Sequence, residues 1–430
     1  MAINIPETGQ KRIVVIGAGF AGLTFIEKML RSNYQLVLID KNNYHQFQPL
    51  FYQVAMSGLE PSSIAFPLRK AFQGKKNLFI RIAEILHIDT DSKRLESSLG
   101  HINYDFLVVA TGATTNYFGN NKLAEKTYGL KTVSEALALR NAILIDYEEA
   151  VITRNYQKRQ GLIDIVIVGG GPTGVELAGA LAEMRAHILP KDYHELDNKE
   201  VDIYLIQSGP QLLKGMSEKA SKAAEKYLKK LGVFVMLNTR VTDYDGEYVT
   251  TKEGHKIQTE KVIWAAGIRA NTLKGIEQNE KCYGDRYRVD RFHKLLGFED
   301  IYVIGDSAYM ETEKYPHGHP QVAQTAIQQG KNLAHNFYGK SPRPFEYKDK
   351  GSMATIGRNK AVVDLPRFGF TGFPAWLVWL FVHLFALIGV KNRLFVFINW
   401  VWNYFTYDQS LRIILKAEDP KDGMEVKTKE

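Results

Sequence analysis

Residues 12–22 read RIVVIGAGFAG. Ile13 to Ile16 is a β-branched run of the kind that a parallel strand buries on both faces. Gly17, Gly19 and Gly22 follow at GxGxxG spacing, and Leu23 to Leu30 has the composition of a helix. In such a turn the first glycine takes the bend. The second admits a pyrophosphate to the backbone, and the third lets helix and strand close together. Free N–H groups and the dipole at the helix start favour an anion there. A second strand, Gln35 to Ile39, ends at Asp40, 23 positions after Gly17. That is the place of an acid that holds a ribose hydroxyl. Strand, turn, helix and acid in register predict a dinucleotide site.

The plan then repeats. Asp164 to Val168 reads as a strand, Gly169, Gly171 and Gly174 restore the spacing inside GGGPTGVE, and Glu176 to Met184 reads as a helix. Asp202 to Ile206 is the second strand of this copy. YDFLVVA (Tyr104 to Ala110), closed by Thr111 and Gly112, has its counterpart in KVIWAA (Lys261 to Ala266), closed by Gly267. Gly17 lies 95 positions before Gly112, and Gly169 lies 98 before Gly267. Matched internal spacing in two copies is far more specific than either motif. The fold class is therefore α/β, with two Rossmann-like domains binding two nucleotides face to face.

Between and after these units lie weaker signals. Tyr44 to Ala55 contains HQFQPLFYQVA, rich in rings and amides, which suits an isoalloxazine pocket or a plain surface turn. Arg81 to Ile88 reads as a strand. Ile301 to Ile304 leads into Gly305-Asp306, an acid at a strand end that fits a ribityl chain or a simple turn. In AQTAIQQG, Gln324 and Gln328 share a helix face. By spacing alone they are an ordinary solvated face.

The 430-residue chain carries 45% hydrophobic and 24% charged residues and a net charge of +8. A basic balance suits an acidic surface, although a solvated basic surface explains it equally. With no short Lys/Arg cluster interleaved with aromatics, nucleic acid is not expected. One cysteine, Cys282, excludes a disulfide framework, a CxxC pair and a cysteine-rich metal cluster within the chain. No metal site is expected, and the N-terminus lacks the apolar stretch of a secretory signal. Phe373 to Val390 is 18 residues without Lys, Arg, Asp or Glu, and Leu394 to Phe405 is 12 mostly apolar residues. A span needs about 20. In the second segment Asn392, Asn399 and Asn403 lie near one face, opposite apolar and aromatic residues. That predicts helices lying in a membrane interface, with Lys391, Arg393, Arg412 and Lys416 meeting anionic lipid. The alternatives are a buried helix pair or a true span.

Taken together, HQFQPLFYQVA, GGGPTGVELAGALAE, Gly305-Asp306, AQTAIQQG and TGFPAW resemble the type II NADH:quinone oxidoreductases, over nearly the whole chain. The resemblance implies FAD on the first fold. Gly17, Gly19, Phe20, Ala21 and Gly22 would meet the diphosphate and Asp40 the ribose, with Lys41, Asn42 and Asn43 nearby. It further implies the Ile85 main chain at adenine, Thr111 and Gly112 closing the pocket, and Asp306, Ala323 and Gln324 approaching the flavin. On the second fold it implies NADH held by Gly169, Gly171, Thr173, Gly174, Gln207 and Gly267. Glu176 would lie near the nicotinamide and flavin as cofactor positioner or proton relay; a helix first-turn carboxylate is the plainer alternative. Gln324 and Gln328 match amides that line a quinone pocket.

One departure bears on specificity. Gln207 stands where NADH-selective relatives carry an acid, so repulsion of a 2′-phosphate is lost and NADPH becomes acceptable. It lies 38 positions after Gly169, with an insert around His187 to Glu200.

The implied activity is a non-proton-pumping NADH dehydrogenase: hydride to FAD, then two electrons to a membrane quinone. A monotopic homodimer on the cytoplasmic face of the inner membrane is expected, since two copies joined through the tail would double the membrane-facing area. A sulfide:quinone oxidoreductase needs redox cysteines that Cys282 alone does not supply. A reductase with a soluble protein acceptor has no use for the apolar tail. A membrane-bound NADH-responsive signalling flavoprotein would share every motif. The expected division is 1–118 and 287–366 for FAD, 119–286 for the nicotinamide nucleotide, and 367–430 for the tail.

Overall fold

Every residue of Arg12–Ile16 is buried because the strand is the middle of a five-stranded parallel sheet. The computed structural model describes residues 2–277, 282–339, 341–407 and 411–415. Strand β1 (Arg12–Ile16) leads through the glycine turn into α1 (Phe20–Met29) and β2 (Gln35–Asp40). A small hairpin, Tyr44–Gln46 with Ala65–Pro67, encloses the short helices α2 (Phe51–Ala55) and α3 (Pro61–Ile64). Strands β3 (Leu78–Ile82) and β4 (Phe106–Val109) follow.

The second copy has β5 (Ile165–Val168), α4 (Pro172–His187), β6 (Ile203–Ile206), β7 (Phe234–Met236) and β8 (Lys261–Trp264). The chain then returns to the first sheet with β9 (Ile301–Val303). Strand order is β9-β4-β1-β2-β3 in the first sheet and β8-β5-β6-β7 in the second, all parallel. Corresponding strands thus occupy corresponding places, as the repeat predicts.

Helix α5 (Ala323–Tyr338) packs on α1, where Gly330 lets the Ala21 carbonyl come close. An antiparallel sheet of β10 (Ser352–Thr355), β11 (Ala361–Asp364) and β12 (Gly369–Thr371) sits on α4. Helices α6 (Phe373–Ala386) and α7 (Val390–Thr406) end the described fold.

Three sequence readings need correction. Arg81 to Ile88 is not one strand. Leu78–Ile82 belongs to the parallel sheet, and Ile85–Asp89 starts a separate antiparallel ladder with Arg94–Ser97. The Ala83 N–H makes the last bond of the parallel ladder, to the Asp40 carbonyl, and the Glu84 N–H then turns to the Ser98 hydroxyl. Both nucleotide helices start earlier than read, directly after Gly19 and Gly171, because an extended glycine serves as each N-cap. The apolar tail breaks at Gly389 (φ +85°), so α6 ends at Ala386 and α7 takes in Lys391 and Arg393. No helix among the described residues is long and apolar enough to cross a membrane.

The turn glycines differ in what a side chain would meet. A Cβ at Gly22 or Gly174 would strike the carbonyl of Gly17 or Gly169, whereas at Gly19 or Gly171 it would meet nothing within 4 Å. Gly22→Ala and Gly174→Ala are therefore expected to cost about 1–3 kcal/mol. Gly19→Ala and Gly171→Ala should leave the melting temperature of the nucleotide-free protein nearly unchanged. Thermal unfolding of the four variants checks this.

Candidate functional site: two nucleotide cradles and a buried glutamate

Each glycine turn is latched to its sheet in the same way. The Gly17 N–H donates to the Ile39 carbonyl and the Gly169 N–H to that of Ile206, both at 2.8 Å. One residue on, the Ala18 N–H donates to Asp40 Oδ2 (2.6 Å), and the Gly170 N–H to Gln207 Oε1 (2.9 Å). Gln207 is thus the counterpart of Asp40 despite the longer spacing. The extra residues are absorbed by the prolonged α4 and the loop after it. Burial raises the Asp40 carboxyl above its ordinary value, and the N–H groups of Asn42 and Ala18 draw it back.

Helices α1, α4 and α5 begin without a side-chain cap, and Asn120, Thr132, Asn155 and Ser217 cap other helices. Unpaired N–H groups of α1 and α4 therefore stand beside the open space at Gly19 and Gly171. That cradle fits a dinucleotide diphosphate. Around the first one, Phe20 and Ala21 open α1, Lys41 and Asn43 are exposed, and Ile85 pairs with Ser97. Thr111 and Gly112 are laced to Asn271. The Thr111 hydroxyl donates to the Asn271 carbonyl (2.7 Å), and Asn271 Nδ2 donates to the Thr111 carbonyl (3.0 Å).

Asp306 is half-buried beside Lys131 and Arg286, which partly offset the upward push of desolvation on its carboxyl. The Gly305 N–H donates to Gln329 Oε1 (2.7 Å), and Gln321 Nε2 to the Asp306 carbonyl (2.8 Å). Sequence reasoning missed Lys131, Gln321 and Gln329. Lys131 stands directly before the helix-capping Thr132, the one local signal for it. His45, in the ring-rich stretch, is buried and meets the Ala18 carbonyl through Nδ1 (2.9 Å). It ties the hairpin to the glycine turn.

At the second sheet a cavity of ≈870 Å³ opens along the C-terminal strand edge. Gly169, Gln207, Ser208, Lys214, Arg240 and Trp264 line it. Gly171, Thr173 and Gly174 form the adjoining turn. Gly267 (φ +158°) follows β8 and accepts the Asn116 N–H (3.0 Å).

Glu176 is not a first-turn carboxylate; it sits deeper in α4, which has no acid in its first turn. It is buried, and its Oε1 accepts from Trp379 Nε1 (3.1 Å) and the Thr355 N–H (3.3 Å). Neither partner is cationic. Burial pushes its pKa up to about 8, against the two hydrogen bonds. It shares a ≈130 Å³ cavity with Tyr52, Gln53, Glu183, Trp400 and Tyr404, beside the tail helices.

Gln324 and Gln328 are half-buried and both are hydrogen-bonded within the protein. Gln324 donates to the Gly351 carbonyl (2.9 Å) and accepts the Lys350 N–H (3.1 Å). Gln328 donates to the Lys348 carbonyl (2.9 Å) and accepts the Lys348 N–H (3.0 Å). They staple the segment leading to β10 onto α5.

In the tail the asparagine face of α7 points inward. Asn392 Nδ2 donates to the Ser62 carbonyl (3.3 Å), Asn403 Nδ2 to that of Gly58 (3.4 Å), and Trp400 Nε1 to Gln53 Oε1 (2.8 Å). The outward face carries Leu394, Phe397, Ile398, Val401, Trp402 and Phe405, all exposed. Phe373, Leu377, Phe381 and Phe385 continue it on α6. Arg393 donates to the Leu387 carbonyl and Arg412 pairs with Asp192, so both serve the protein itself. Lys416 lies outside the described residues.

Residues 11–330 match the pyridine nucleotide-disulphide oxidoreductase family, and residues 350–407 match the NDH2 C-terminal domain. The chain is 36% identical over 415 residues to the type II NADH:quinone oxidoreductase Ndh of Mycobacterium tuberculosis, covering 92% of this chain and 88% of that one. It belongs to the type II NADH:quinone oxidoreductases. A Staphylococcus aureus member is 28% identical, over 82% of this chain and 89% of its own length. The structure of NDH2 from Plasmodium falciparum in complex with NADH superposes with a TM-score of 0.86 at 21% identity, covering 95% of this chain and all of that one. At that identity the likeness concerns the fold. A sulfide:quinone oxidoreductase from Aquifex aeolicus gives 0.67. Lacking a cysteine pair, the chain cannot form the internal disulfide that the broader family name denotes.

A raised Glu176 pKa means that the folded state binds a proton more tightly than the unfolded chain. Stability from this group is thus full below the ordinary value of 4.5 and is lost as pH rises to about 8. Melting temperatures of wild type and Glu176→Gln across that interval check the sign. The wild type should fall relative to the variant as pH rises, and a constant difference would contradict the assignment.

Proposed function

We infer that this chain is an FAD-dependent, non-proton-pumping NADH:quinone oxidoreductase working at a membrane surface. The observation that carries this reading is one chain with two matched nucleotide cradles and a tail whose apolar side faces away from the protein. On this reading residues 1–118 and 287–366 hold FAD, 119–286 hold the nicotinamide nucleotide, and the chain from 367 meets the lipid. Held there, FAD would supply the redox chemistry that links hydride from NADH to two-electron reduction of the quinone.

The protein's own groups bind, orient and supply protons. The uncapped starts of α1 and α4 hold diphosphates, and Asp40 holds the FAD ribose. Glu176 is protonated for much of the time near neutral pH, so it has a proton to give toward the quinone side. Gln324 and Gln328 bear on the quinone from α5. Large exposed apolar area on two helices is unfavourable in water and favourable in a lipid interface. On this reading the enzyme is monotopic and works on the cytoplasmic face of the inner membrane. Two copies meeting along the tail would present a broader face to the same bilayer.

Gln207 keeps the latch but adds no negative charge, and Lys214 and Arg240 line the same cavity. The site therefore tolerates NADPH beside NADH. Purified protein should oxidise NADH with a short-chain quinone as acceptor. In the same assay Gln207→Glu should raise the kcat/KM preference for NADH over NADPH about tenfold or more, because opposed like charges cost several kcal/mol. No quinone-dependent NADH oxidation would refute the function. An unchanged ratio would refute the role of Gln207 alone.

A further inference from the structure

A cavity of ≈540 Å³ lies between the small hairpin, α3 and the first turns of α7, apart from both nucleotide turns. Two of its wall residues are lysines from different parts of the chain, Lys70 and Lys391, both exposed. Each lies against an aromatic ring that also lines the cavity. Lys70 Nζ is 5.9 Å from the Phe66 ring centre, and Lys391 Nζ is 5.4 Å from that of Phe395. Asn43, Ser62, Asn392 and Asn399 add neutral donors and acceptors, and Glu60 is the one acid among the lining residues. Geometry holds the walls together. A Cβ at Gly389 would meet the Phe66 ring at 2.8 Å, and Asn392 is bonded to the Ser62 carbonyl. The α7 start that borders the cavity has no side-chain cap.

We propose that this cavity binds the phosphate of an anionic phospholipid whose acyl chains run along the outward face of α7. The proposal rests on the membrane-surface reading above. Charge and position select this occupant. Two ammonium groups and an uncapped helix start favour a phosphate oxygen over a neutral headgroup. Phe395, half of whose surface is exposed, leads from the cavity to Leu394 and Ile398, where acyl chains would lie. Free phosphate would gain nothing from that apolar border. The helix is thus held by its asparagines on the protein side and by a lipid headgroup at its start.

The test is co-sedimentation of the full FAD-loaded chain with two kinds of vesicle, phosphatidylcholine alone and phosphatidylcholine containing phosphatidylglycerol. Wild type should bind both, and the anionic vesicles more tightly. K70Q/K391Q should lose that preference, by about 30-fold at low salt for two near-surface lysines, with binding to phosphatidylcholine and flavin content unchanged. K75Q/K76Q removes the same charge from exposed positions nearby but outside the cavity, and should change little. Equal losses in the two double variants would mean a diffuse field and overturn the site. Inorganic phosphate that displaces the protein from anionic vesicles at matched ionic strength would also overturn it, since any phosphate would then serve. If wild type bound neither vesicle, the membrane reading would fail; equal binding to both would defeat the lipid site alone. Should K70Q/K391Q lose its flavin, K391Q at the exposed start of α7 carries the same comparison.

Discussion

One hydrogen bond, made twice, sets the geometry on which the function depends. The N–H after the first glycine of each turn is held by a side chain at the end of the second strand, Asp40 in one fold and Gln207 in the other. This bond closes the loop between β1 and β2, and between β5 and β6. It aims the uncapped helix start at open space and fixes the side chain that ends the second strand against the turn. The two latches differ in charge but not in geometry. Fold and cofactor choice are thus separable here. A neutral amide supports the turn as well as a carboxylate does, and it alters only what the cavity repels.

The second constraint is the inversion of the tail. In an aqueous helix the asparagines would face water and the aromatics the core. Here Asn392 and Asn403 spend their amides on backbone carbonyls of the first domain, and the aromatics are left outside. Arg358 adds a cation at the far end of α7, donating to the Asn403 and Tyr404 carbonyls (2.6 and 2.8 Å). The same helices close over Glu176. Trp379 stacks on the half-buried His383 at 4.0 Å and donates to the glutamate, so the apolar surface and the buried Glu176 are parts of one layer.

Much of this was legible in the sequence, since it depends on local spacing. Ile13 to Gly22 and Ile165 to Gly174 declare strand, turn and helix by residue type alone, and the repeated interval revealed the second fold. What stayed hidden depends on partners remote in the chain. Trp379 is 203 positions from Glu176, and no periodicity links them. Gln324 and Gln328 were correctly placed on one helix face, but spacing cannot say that residues 348–351 cover it. The asparagine stripe of α7 was visible, while its direction was not, because periodicity orders faces without telling which one meets the protein. Arg81 to Ile88 misled for a related reason. Two strands of different sheets abut here in sequence, and the single charged residue at the break, Glu84, fits the polar face of one continuous strand equally well.

In the proposed reaction a single bound flavin alternates between a nicotinamide on one fold and a quinone at the tail. Anaerobic stopped-flow tests it most directly. Purified, FAD-loaded protein is mixed with NADH while the flavin absorbance is followed, and a short-chain quinone is then added. Rapid bleaching followed by full, quinone-driven recovery of the absorbance is the expected result. Bleaching with no recovery would contradict the quinone half and favour a protein acceptor or a long-lived signalling complex. Absence of bleaching would contradict the facing of the two cradles, on which everything else rests.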